Sequence, residues 1–92
     1  MRFKFDKRKS VALRSNPKRG IGFEEAQELF RFPYYLDRRV DRPEQCRAIG
    51  WVSGRLYSVI YESREDAQGE YYHLVTLWKA TTKERELYEE TL

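Results

Sequence analysis

The sequence predicts an α+β domain. A mainly antiparallel sheet of four to five strands carries two helices ahead of it and one behind, in the order β-α-α-β-β-β-β-α. Three observations support this. Glu44–Val52 and Arg55–Glu62 are strand-like runs on either side of Ser53-Gly54, a two-residue turn signal. Tyr71–Trp78 is a third run, rich in β-branched and aromatic residues. Thr81-Thr82-Lys83-Glu84 has the spacing of a capping box, with Thr81 as cap and Glu84 three residues on. With 92 residues the chain reads as one domain, residues 1–92, with a small core. Seven tyrosines, five phenylalanines and two tryptophans suit such a core, because each aromatic buries a large area.

Arg2-Phe3-Lys4-Phe5 alternates as a short strand with Phe3 and Phe5 on one face. Asp6 has the chemistry of an N-cap for a helix running to about Arg14. Pro17 restricts Asn16 and lacks an amide hydrogen, so this helix stops by Ser15. Asn16–Gly22 follows as a basic loop. Phe23, Ala26, Leu29 and Phe30 form the apolar stripe of a second helix, Phe23–Arg31, with Glu24 and Glu25 in its first turn. Gly22 is the expected cap, and Pro33 ends the segment. Tyr34–Val40 reads as an irregular strand.

In the hairpin, a two-residue turn pairs Val52 with Arg55, Gly50 with Tyr57 and Ala48 with Val59. One face then carries Cys46, Ala48, Gly50, Val52, Tyr57, Val59 and Tyr61. It is uncharged, and the helices are expected against it. The other face carries Arg47, Ile49, Trp51, Leu56, Ser58, Ile60 and Glu62, of which Arg47 and Glu62 could pair across the sheet or serve a ligand. Ser63–Gly69 reads as a polar loop, which leaves the register of Tyr71–Trp78 and the face of His73 open. In the last helix Leu87 and Tyr88 are expected to dock, with Glu84, Arg85, Glu86 and Glu89 toward water.

Composition narrows the chemistry. One cysteine, Cys46, excludes an internal disulfide and a cysteine-based zinc site. One histidine without a cysteine cluster argues against a transition-metal site, and no cofactor is expected. No Gly-rich phosphate loop or Ser/His/Asp spacing is present. No apolar run suits a signal peptide or membrane span, so the cytoplasm is the expected compartment, with no membrane partner. The net charge is +3, and the basic residues gather early. Met1–Gly20 holds Arg2, Lys4, Lys7, Arg8, Lys9, Arg14, Lys18 and Arg19 against Asp6 alone. Such an end suits a phosphate backbone or an acidic partner, or is simply a solvated face.

Several short stretches, in order and spacing, are shared with a known family. They are Phe5-Asp6, Lys9, Gly20-Ile21-Gly22-Phe23-Glu24-Glu25-Ala26 and Phe30, then Glu44, Ile49-Gly50, Gly54-Arg55, Tyr61 and Arg64. Ala80-Thr81, Glu84-Arg85 and Tyr88 complete the set. In these the chain resembles the BrnT family of bacterial toxins, over nearly its whole length and as a divergent branch. The resemblance implies a RelE-like fold and a type II toxin that inhibits translation by cutting RNA. It also implies neutralisation by a BrnA-like ribbon-helix-helix antitoxin, with operator DNA bound only through the toxin–antitoxin complex. Three positions depart from the family pattern: Arg19 stands for a usual histidine, Gln45 for an arginine, and Trp78 for the arginine that ends the strand, with Lys79 next.

Metal-free RNA cleavage needs a base for the ribose 2′-hydroxyl, cations for the pentacoordinate phosphate and a proton for the leaving oxygen. Lys79, at a strand end beside a helix start, is the first candidate for phosphate stabilisation, or else a lysine reaching out from the sheet edge. Arg64 could clamp phosphate from its loop, or pair with Glu65 or Asp66. Arg47 could replace the missing family arginine, or pair with Glu62. His73 titrates near neutrality, or is packed and hydrogen-bonded in mid-strand. Lys9 and Arg19 could hold RNA backbone and Trp78 could stack on a base; ordinary surface charge and a core tryptophan are the alternatives. A decayed site that binds antitoxin or nucleic acid without cutting is the second functional expectation.

Overall fold

The computed structural model describes residues 1–92. Its elements are β1 (Arg2–Lys4), α1 (Lys7–Ser15), α2 (Phe23–Ala26), β2 (Tyr35–Arg38), β3 (Cys46–Val52), β4 (Arg55–Asp66), β5 (Gly69–Lys79) and α3 (Thr82–Thr91). α2 runs directly into a 3-10 turn, Gln27–Arg31, so the second expected helix is split between two geometries. The strands form one mixed sheet in the order β1-β5-β4-β3-β2. Three pairings are antiparallel, and β1 lies parallel to β5.

The β3–β4 hairpin has the expected register, with Val52 opposite Arg55 and Ala48 opposite Val59. Ser53 and Gly54 both take positive φ, 49° and 78°, as a turn matched to strand twist requires. One sheet face carries the main core, where Leu13, Phe23, Ala26 and Leu29 pack on Ala48, Val52, Val59, Tyr61, Leu74 and Leu77. The junction of α1 and α2 is held by Ser10, which is fully buried. Its hydroxyl accepts from Phe23 N at 2.8 Å, supplying the cap that Gly22 lacks, and donates to Glu24. Gly22 fits because the helices nearly touch there: a Cβ would lie 2.5 Å from Ser10 Oγ and 2.9 Å from its carbonyl oxygen.

Three expectations are corrected. The helices do not share one face. α1 and α2 cover the uncharged face, whereas α3 lies across the other, above Ile49, Leu56, Ser58 and Ile60, all buried. It is drawn there by Glu84, which is 4% exposed rather than turned to water. Glu84 accepts from Arg47 Nη1 at 3.2 Å, from Trp78 Nε1 at 3.0 and 3.2 Å, and from its own cap amide, Thr81 N, at 2.9 Å. A capping glutamate thus also anchors the helix to the sheet. Tyr88 docks edge-on against Trp51, with ring centroids 6.2 Å apart.

The second correction concerns Ser63–Gly69. β4 continues to Asp66 and β5 begins at Gly69, joined by Ala67-Gln68, with Gly69 at φ 106°. Polar composition here marks a solvent-facing ribbon rather than a loop. Third, the strand at Tyr34–Val40 is confined to Tyr35–Arg38.

One irregularity determines which face each residue of β5 presents. Ile60 pairs with Thr76, but Tyr61 pairs with Leu74, leaving Val75 as an extra residue. Side chains alternate along a strand, so the bulge inverts the facing of everything before it. Leu74 therefore enters the core, at 1% exposed, and His73 turns to the opposite, α3-bearing face. Strict alternation back from Trp78 would have placed them the other way round.

Candidate functional site on the open sheet face

α3 covers only the β3 end of its face. Toward β1 the face is open, and two rows of polar side chains cross it. The first row is Lys4 on β1, His73 on β5 and Glu62 on β4, neighbours by strand register. The second is Arg2, Tyr71 and Arg64 in the same order. Lys9, exposed on α1, adds a positive charge that opposes protonation of His73.

Hydrogen bonds order these rows. Arg64 donates to Glu62 Oε1 from Nε at 3.0 Å and from Nη2 at 2.5 Å. Gln45 Nε2 donates to the other Glu62 oxygen at 3.1 Å. Arg64 hydrogen bonding, then Gln45, holds the Glu62 carboxyl below its usual range, so Glu62 is an anion at neutral pH. Arg2 and Lys4 both reach Asp66, at 2.8 Å each, and Lys4 Nζ sits 4.3 Å from the centre of the Tyr71 ring. These contacts hold Asp66 well below the carboxylate range, Arg2 contributing most.

His73 is half-buried. Partial burial, then the positive charge of Arg64, lowers its pKa from 6.5, against an opposing pull from Glu62 and with a further push from Lys9. The imidazole is therefore neutral at pH 7 and able to accept a proton. A neutral imidazole, a carboxylate that fixes an arginine, and Lys4 on one exposed surface can bind an anion and remove a proton beside it.

Of the residues singled out by sequence, Arg64 and His73 come together here, whereas Lys9 is exposed on α1 and bears on His73 only through its charge. Arg64 is on a strand rather than a loop, and pairs with Glu62 rather than Glu65 or Asp66. Arg47 and Trp78 lie on the same face but beside α3. Arg47 makes a two-pronged contact with Asp37, at 3.0 and 2.6 Å, and a third bond to Glu84, rather than pairing with Glu62. Lys79 and Arg19 are on the far face. Lys79 Nζ donates to Pro17 O at 3.1 Å, Arg19 donates to Leu77 O, and Tyr57 Oη donates to Arg19 O at 2.6 Å. Together these contacts tie the Asn16–Gly22 loop to the end of β5.

Lys4 and Tyr71 join the site without having been singled out, and Glu62, expected either to pair with Arg47 or to serve a ligand, joins it through Arg64 and His73. The alternation of Arg2-Phe3-Lys4-Phe5 does put Arg2 and Lys4 on a polar face, but nothing local says that β1 lies beside β5. No group of three or more His, Cys, Asp or Glu side chains is placed to hold a metal ion. No helix is long and apolar enough to cross a membrane. The class defined by fold and site is a five-stranded mixed α+β sheet with helices on both faces and an open polar surface at one end. Compared with known proteins, the chain matches no family model and no curated sequence.

Proposed function

We propose that the protein is a metal-independent endoribonuclease, the toxin of a BrnT-type toxin–antitoxin pair with a RelE-like fold. The observation that carries this reading is the row Lys4–His73–Glu62 with Arg64 beside it. His73, neutral at pH 7, takes the proton of a ribose 2′-hydroxyl. The 2′-oxygen attacks phosphorus, the bond to the 5′-oxygen breaks, and that oxygen is protonated by water, which reaches the open face. Arg64 and Lys4 stabilise the extra negative charge on the phosphate, with Lys9 holding backbone alongside. Glu62 holds the Arg64 fork in place until phosphate competes for it. The products are a 2′,3′-cyclic phosphate and a 5′-hydroxyl. The family likeness supplies the partner: a BrnA-like ribbon-helix-helix antitoxin, through which alone the complex meets operator DNA.

Incubating the purified protein with single-stranded RNA in excess chelator tests this reading. Cleavage with cyclic phosphate ends is expected, and Arg64→Ala should slow it by about 10²-fold. RNA left intact under all conditions contradicts the proposal. A second reading, binding without cleavage, is favoured by one observation: the Arg64 fork is already occupied by Glu62. RNA recovered bound but uncut identifies that case.

A further inference from the structure

A cavity lies on the same face as the polar rows, one row of side chains nearer α3. It has a volume of about 310 Å³, with Ile60 and Trp78 among its lining residues and Arg39, Asp41 and Arg47 at its polar walls. That is the low end of the roughly 300–1,000 Å³ range of ligand pockets, room for one flat ring system. Ile60 precedes Glu62 by two residues on β4, so the cavity floor is about 7 Å from the His73–Glu62 row. One nucleotide step spans a comparable distance. The two regions are also joined directly, because Arg39 Nη1 donates to Gln45 Oε1 at 3.4 Å and Gln45 in turn holds Glu62.

The lining is specific in chemistry. Trp78 is held by its indole Nε1 bonds to Glu84, which leave the ring as a fixed wall. Arg47 is held by three hydrogen bonds, two to Asp37 and one to Glu84, with both carboxylates against its fork. Arg39 is not: its contacts with Gln45 at 3.4 Å and Asp41 at 3.6 Å are long, and its fork retains free donors. An arginine fork beside a stacking wall fits a base with two adjacent acceptors, and guanine presents O6 and N7 in that arrangement. Asp41, 71% exposed, adds an acceptor for the guanine N–H groups.

We infer that this cavity is a guanine-binding subsite, with Trp78 as the stacking wall and Arg39 as the residue that selects the base adjoining the cleaved phosphate. Its position relative to a cleaved bond rests on the ribonuclease reading; its preference for guanine does not. The test is therefore made by binding. The four 5′-nucleoside monophosphates are titrated into the intact protein while the Trp78 indole N–H resonance is followed by NMR, with Trp51→Phe used to assign it. The expected result is a shift with GMP at concentrations at least about tenfold below those needed for AMP, CMP or UMP. Arg39→Gln, which removes the fork with its long contacts to Gln45 and Asp41 and leaves the Trp78–Glu84 contact intact, should erase that preference. Equal response to all four nucleotides, no response to any, or a GMP preference retained by Arg39→Gln would each overturn the inference. Failure of RNA cleavage with selective GMP binding intact would fault the ribonuclease reading alone.

Discussion

At the scale of single residues, the face beneath α3 is apolar except where a partner is supplied, with one exception. Ser58 is fully buried between Ile49 and Trp78 in strand register, and its hydroxyl has no hydrogen-bond partner. An unmatched buried hydroxyl carries a desolvation cost and returns nothing. Ser58→Ala is expected to leave stability unchanged or to raise it by up to about 1 kcal/mol in urea unfolding. A loss of similar size would show that the hydroxyl has a partner in solution. His73 contributes in the opposite sense. Its folded pKa is lowered, so the unfolded chain binds the proton more readily. Its contribution to stability is therefore full above about pH 6.5 and declines as pH falls through the lower folded value.

At the scale of elements, α3 shows how a local signal acquires a distant role. The Thr81–Glu84 capping box was legible in four consecutive residues, and the structure forms it, with Glu84 N bonded to Thr81 Oγ1 at 3.2 Å. That Glu84 is also the anchor for Arg47 and Trp78 was not legible, because it depends on which face α3 crosses. Glu84→Ala removes the acceptor for two sheet donors and the cap amide, and is expected to destabilise the fold by about 2–3 kcal/mol. A change below about 0.5 kcal/mol would mean that the anchor is not formed. The register of the β3–β4 hairpin was readable because Ser53-Gly54 fixes it locally, although β3 starts two residues later than expected, at Cys46, and β4 runs on to Asp66. That of β5 was not. Its face assignment turns on the Val75 bulge, and a bulge has no composition of its own. His73 therefore could be named from sequence but not placed. Arg64 could be named but was assigned to a loop, since the polar ribbon after Glu62 imitates loop composition. Lys79 and Trp78 are adjacent in sequence, yet alternation sends them to opposite faces, one to the Asn16–Gly22 loop and one to Glu84.

At the scale of the whole molecule, the two sheet faces divide the work. The α1–α2 face supplies the main hydrophobic core. The other is covered by α3 at one end, and its open end is left to polar chemistry. β1 makes this possible: its parallel pairing with β5 adds Arg2 and Lys4 to a surface otherwise built from a hairpin. If RNA is bound as proposed, the basic residues concentrated early in the chain make its affinity fall with added salt. In the proposed function, the His73 that the bulge turns outward acts as the base. The most direct measurement is the rate of RNA cleavage from about pH 5 to pH 8, for the wild type and for His73→Gln. The wild-type rate is expected to fall on the acid side with an apparent pKa below about 6.5, and the His73→Gln rate to be lower by about 10²-fold or more without that acid limb. A His73→Gln variant that retains both the rate and the acid limb would contradict that role.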